Sequence, residues 1–129
     1  MLLLMDYETI PEERKYRKME DSAKAHAKEF VSILQHIHTT IRKLLEAGNY
    51  PSVVLQLEQC QSYAISFGQQ IEAEEGADLV AVALLEDYCE LVYQIYETIR
   101  CFVPVDANDI HNALSAQLIR IRKSMESSN

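Results

Sequence analysis

Apolar residues recur at spacings of three and four along most of this chain, and the recurrence breaks at three places: Gly48-Asn49-Tyr50-Pro51, Gly76-Ala77-Asp78 and Pro104. Such spacing gathers side chains on one side of an α-helix but scatters them over both faces of a strand, so it selects helices. Only three Gly and three Pro occur in 129 residues, which leaves few turn positions and makes the elements between the breaks long.

The first helix is expected from Asp21 or Ser22 to Ala47, with Phe30, Ile33, Leu34, Ile37, Ile41, Leu44 and Leu45 on its apolar stripe and Gly48 at its left-handed end. Asn49 as cap and Pro51 in the first turn open a second helix from Pro51 to about Glu75. Its core positions are Val53, Val54, Leu57, Cys60, Ala64, Phe67 and Ile71, and Gly68 is its weak point, about 1 kcal/mol worse than Ala in a helix interior. A third helix spans about Leu79 to Cys101 with Val82, Leu85, Tyr88, Cys89, Val92, Ile95, Tyr96 and Ile99 inward. A fourth follows Asp106-Ala107-Asn108-Asp109, carries Ile110, Leu114, Leu118, Ile121 and Met125, and ends near Ser124.

Links of about three residues between the first three helices leave no room for a crossover, so neighbours must run antiparallel. The expected fold is all-α, an up-down antiparallel four-helix bundle about 35 to 40 Å long at 1.5 Å rise per residue. Residues 20–129 form the bundle domain. Residues 1–19 form an N-terminal arm or short extra helix, since Leu2-Leu3-Leu4 gives way, across Pro11, to the charged run Glu12 to Lys18. A chain of this length is one domain's worth and hides enough surface for a core without staples.

The charge is distributed unevenly. From Leu44 to Ile99 there are ten carboxylates, Glu46 through Glu97, and no lysine or arginine; six of the twelve basic residues lie between Arg14 and Lys28. A net charge of −8 and a pI near 4.9 disfavour nucleic acid and anionic membranes as partners and suit a basic protein segment. Met1 to Met5 is too short, and lacks the basic flank, for an export signal, and no window approaches the length of a membrane span. A soluble, cytoplasmic protein is expected. Cys60, Cys89 and Cys101 are odd in number and follow helical patterns, which reads as three reduced core thiols.

Catalytic and metal-binding constellations are missing from the sequence. A dinuclear site in a bundle needs Glu-x-x-His on two helices, but Ala23, Ile33, Gln35 and Asn108 stand three before His26, His36, His38 and His111. Each histidine is expected at the surface or its boundary. No Cys adjoins a His or a Gly-rich turn, and no phosphate-cradling loop or zinc-type Cys pair occurs. Neither an enzyme, a cofactor nor a small-molecule substrate is expected. Two carboxylate clusters remain, Glu72, Glu74, Glu75 and Asp78 around the second turn and Glu86, Asp87 and Glu90 on the third helix. They fit a solvated face, a docking surface for basic groups or, without the ligand spacing of a calcium loop, a metal site. Tyr88, Tyr93 and Tyr96 fit either core packing with hydroxyls at the rim or the anchors of a groove for a partner helix.

The segments Leu57-Glu58-Gln59-Cys60-Gln61, Ile71-Glu72 with Glu75-Gly76, and Leu84-Leu85-Glu86-Asp87-Tyr88-Cys89-Glu90 resemble small all-helical modules of clostridial proteins, some attached to glycosyltransferase-type enzymes. The resemblance spans Lys24 to Met125 and implies a bacterial accessory domain with no catalytic residue. A weaker similarity, at Glu46-Ala47-Gly48-Asn49-Tyr50, is to flagellin-export chaperones of the FliS type and implies a client segment bound as helix or disordered chain. The expected function is a non-enzymatic interaction module. It docks a basic protein partner, or a second copy as a homodimer, through Glu72, Glu75, Asp78, Glu86, Asp87, Glu90, Tyr93 and Tyr96.

Overall fold

A computed structural model describes residues 26–74, 76 and 78–127, and the expected arm at residues 1–19 lies outside them. Among the described residues the chain forms four helices and no strand: α1 over residues 26–46, α2 Tyr50–Glu72, α3 Leu79–Arg100 and α4 Ala107–Ser127. Successive helices run antiparallel and close an all-α four-helix bundle. At 1.5 Å per residue its helices are about 32 to 35 Å long.

The buried positions of α2, Val53, Leu57, Cys60, Ala64, Phe67 and Ile71, alternate steps of four and three. This is the seam of helices that pack at about 20° with side chains of one filling gaps in the next. On α3 the same seam runs through Leu85, Tyr88, Val92, Ile95 and Ile99, and on α4 through Leu114, Leu118 and Ile121. Phe30 and Phe67 stack at 4.4 Å between centroids, tying α1 to α2, and Gln117 Nε2 donates to the Leu84 carbonyl at 3.1 Å, tying α4 to α3. Val31 and Ala81, absent from the sequence-derived stripes, are buried, while Ile33, Leu44, Val54, Cys89, Tyr96, Ile110 and Met125 are half-buried at the core's edge.

The helix starts are capped by side chains. Asn49 accepts from the Ser52 N–H at 3.4 Å, Asp78 Oδ1 from the Val80 and Ala81 N–H groups at 3.1 Å each, and Asp106 Oδ1 from the Asp109 N–H at 3.0 Å. The ends differ modestly from expectation. α2 stops at Glu72, before the expected Glu75, where a run of carboxylates opposes the negative end of the helix dipole. α4 continues past Ser124 to Ser127, its last turn spanned by Arg122 and Glu126 at 3.8 Å. Gly68 meets no obstacle: a Cβ there would sit 3.8 Å from Leu85 Cδ1, an ordinary contact.

α1 and α3 end in the same motif with different residues at its left-handed position. Gly48 (φ 71) has its N–H on the Leu45 carbonyl and the next N–H on Leu44. Phe102 (φ 59) has its N–H on Ile99 and the next on Thr98. For an L-residue the left-handed region costs about 1 to 2 kcal/mol, and Phe102, 93% exposed, gains no burial in return. Phe102→Gly is therefore expected to raise stability by about 1 kcal/mol, read as a higher urea midpoint, and Gly48→Phe to lower it by a similar amount.

Candidate functional site

On α3, Glu86, Glu90, Tyr93 and Glu97 follow one another at steps of four, three and four, which places them in one outward stripe. Leu85 looks toward Gly68 of α2 and Leu84 lies beside Gln117 of α4, so the two flanks of α3 are fixed. Val82, Cys89 and Tyr96 follow Leu85 onto the α2 side. On α2, Glu58, Ile65 and Glu72 are spaced by seven and flank Gly68 on the α3 side. Helical spacing therefore sets half-buried Cys89 and Tyr96 along the α2–α3 seam, with exposed Glu58, Ile65 and Glu72 on the α2 side of this groove and exposed Glu86 and Tyr93 on the α3 side.

The chemistry of this groove is one-signed and partly apolar. Tyr93 is 51% exposed and Ile65 49%, while Tyr93 and Tyr96 lie with ring centres 6.5 Å apart and planes tilted by 33°. Burial, and then the Glu86 charge, raise the Cys89 thiol above its ordinary range. Among the described residues Glu97 is the one carboxylate of the acidic stretch within ion-pairing distance of a base, Arg100 at 3.9 Å. Arg100 is exposed and Glu97 partly buried, and such a surface pair contributes little.

The residues singled out in the sequence do not all share this place. By helical spacing Glu86, Tyr93 and Tyr96 fall on the α2 side of α3 and Glu72 on the α3 side of α2, near that helix's far end, and Glu90 stands on the outer side of the same stripe. Asp87 is one residue, 100°, further round α3 and lies on the α4 flank. Asp78 is half-buried and caps α3 with Oδ1. Glu75 lies outside the described residues. Glu58 and Ile65 were missed because the groove is made by two helices, and the sequence shows which face of each is apolar but not which flanks meet.

Inside the bundle lies a second polar place. His38 on α1 is 1% exposed, and its Nε2 is 2.6 Å from the hydroxyl of Tyr88 on α3, itself 0% exposed. The Cys60 thiol on α2 and half-buried His111 on α4 lie close enough to act electrostatically on this pair. Each helix thus contributes one residue to a polar layer. Burial, followed by the His111 charge, lowers His38 to about 4, and burial pushes the Cys60 thiol up to about 11. Tyr88 is raised by burial and then by Cys60.

These positions correct three expectations. His38 is a core residue, not a surface or boundary one, because its ring replaces an apolar side chain on the α1 seam and finds Tyr88 opposite. The Tyr88 hydroxyl is not at the rim, since it has a partner deep in the core. Cys101 is exposed and Cys89 half-buried, leaving Cys60 as the one fully buried thiol of the three. No group of three or more His, Cys, Asp or Glu side chains among the described residues could hold a metal ion, and no helix there is long and apolar enough to cross a membrane.

Comparison with protein-family models, curated proteins and solved structures returns no match, so the class is set by the fold, an all-α four-helix bundle, and the site by its geometry.

Proposed function

We propose that this chain is a non-enzymatic, cytoplasmic interaction module that docks a basic protein segment, from a partner or from a second copy, in the α2–α3 groove. The observation that carries this reading is the company of exposed Tyr93 and Ile65 with Glu58, Glu72, Glu86 and Glu90, none of which has a cation within pairing distance among the described residues. Exposed aromatic and aliphatic side chains supply affinity when a partner covers them, and a surrounding charge of one sign supplies orientation and rate. The basic run from Arg14 to Lys28 gives a second copy the complementary sign. Nucleic acid and anionic membrane fit poorly, because this face would repel both.

The test is sedimentation of the full chain, alone and with a lysine- and arginine-rich helical peptide, at low and high salt. Self-association or peptide binding should weaken by roughly tenfold or more between 50 and 500 mM salt, as expected for weakly buried charge pairs. Glu86→Lys/Glu90→Lys should abolish it while leaving the helical content unchanged. A chain that stays monomeric and ignores the peptide at low salt would remove this reading.

A further inference from the structure

The polar layer at the bundle's centre is built so that the neutral imidazole fits and the charged one does not. A neutral histidine has one N–H and one lone pair, and Tyr88 can serve the Nε2 of His38 in either role. Nδ1 is buried and makes no hydrogen bond. Protonation makes both nitrogens donors. The Tyr88 oxygen can accept from Nε2, but nothing accepts from Nδ1, so a buried cation would be left with an unmet donor, among the costliest arrangements in a core.

The groups facing His38 offer no counter-charge. From α2 comes Cys60, a thiol raised by burial; from α3 come Tyr88, also raised, and Cys89 beside it. From α4 comes half-buried His111, whose effect on His38 is to disfavour the imidazolium, and one turn along α1 stands half-buried Arg42. Among the described carboxylates of the acidic stretch, Glu46, Glu58, Glu72, Glu86, Asp87 and Glu90 are exposed, and half-buried Asp78 is engaged at the start of α3. We propose that the bundle is acid-operated: proton uptake by His38 drives α1 away from the α2–α3 pair and uncovers Cys60. α1 is the element that moves because His38 is its own residue, whereas α2 and α3 stay joined through Gly68, Leu85 and their apolar seams.

The strength of the device follows from the change in proton affinity. A group held near 4 in the closed state and returned to 6.5 on opening binds its proton about 300-fold more tightly when open, and that factor is the largest shift the proton can impose on the two populations. Cys60 reports the event directly, because it is fully buried when the bundle is closed, while exposed Cys101 supplies an internal standard in the same molecule.

The experiment labels the full chain with 4,4′-dithiodipyridine, which reacts with thiols in mild acid, between pH 7 and pH 4.5. Cys60 and Cys101 are followed by peptide mass spectrometry and helix content by far-ultraviolet circular dichroism. The Cys60 to Cys101 rate ratio is expected to rise about 60-fold over that range with most of the helix signal kept. It should rise similarly in His111→Asn and stay flat in His38→Gln. Should His38→Gln fail to fold at pH 7, His38→Leu, which fills the site with an apolar side chain, takes its place with the same expectation. A flat ratio in the natural chain, an equal rise in the folded His38 variant, or loss of the helix signal in step with Cys60 labelling would each overturn the proposal.

Discussion

Tyr88→Ala is expected to lower stability by about 4 kcal/mol or more, close to the whole stability of a small domain. Tyr88 is among the largest fully buried side chains, so truncation opens a cavity at the meeting point of the helices. It also leaves His38 Nε2 without the hydroxyl it is paired with. The two effects are separable. Tyr88→Phe keeps the ring and removes only the hydroxyl, so it should cost about 1 to 3 kcal/mol, the penalty of an unmet buried polar group. His38→Leu alone takes from the Tyr88 hydroxyl its partner at 2.6 Å and should cost a similar amount. The double variant His38→Leu/Tyr88→Phe removes both polar partners and should lie near the natural chain, because a buried hydrogen bond contributes little beyond an apolar replacement of similar shape. Urea unfolding of the four proteins at pH 7.5 closes the cycle. Strict additivity of the two single variants would show that the 2.6 Å contact is not energetically coupled.

The fold was legible because its signal is local and repeated. The α2 stripe could be written down from spacing alone, and Gly48, Asn49, Asp78 and Asp106 each stand where a helix must stop or start. The polar layer was less legible, although a trace of it was present. Val31, Leu34, His38, Ile41 and Leu45 keep the same alternation of three and four as the other seams, and His38 holds the middle position. The apolar stripe Phe30, Ile33, Leu34, Ile37, Ile41, Leu44 and Leu45 contains Leu34, Ile41 and Leu45 of that seam, but a stripe of apolar residues alone leaves out the histidine between them. A histidine on a seam is tolerable only with a partner, and its partner Tyr88 is 50 residues away, beyond any local pattern. The groove failed for the same reason. Glu72, Glu86, Tyr93 and Tyr96 could be proposed as a group from the charge pattern, but Asp87 could be assigned to the opposite flank only once Leu84 was seen beside Gln117.

Stability should pass through a plateau between about pH 6.5 and 9 and fall on both sides for opposite reasons. Above pH 6.5 His38 is neutral whether folded or not and contributes no pH dependence. As the pH falls from 6.5 toward 4 the unfolded chain takes up the proton first, so unfolding is favoured by about 3 kcal/mol across that window. On the alkaline side Cys60 keeps its proton in the bundle to about 11 against an ordinary 9.0. Between those values the unfolded chain loses the proton first, and about 3 kcal/mol is lost again, with Tyr88, also raised, adding to the fall above its ordinary 10.0. Urea midpoints from pH 4 to 11 give both limbs. His38→Gln should flatten the acid limb and leave the alkaline one, whereas Cys60→Ala should do the reverse, retaining the part that belongs to Tyr88. An acid limb of undiminished height in folded His38→Gln would mean that His38 titrates alike in both states, and the buried layer would then have no bearing on how this bundle meets acid.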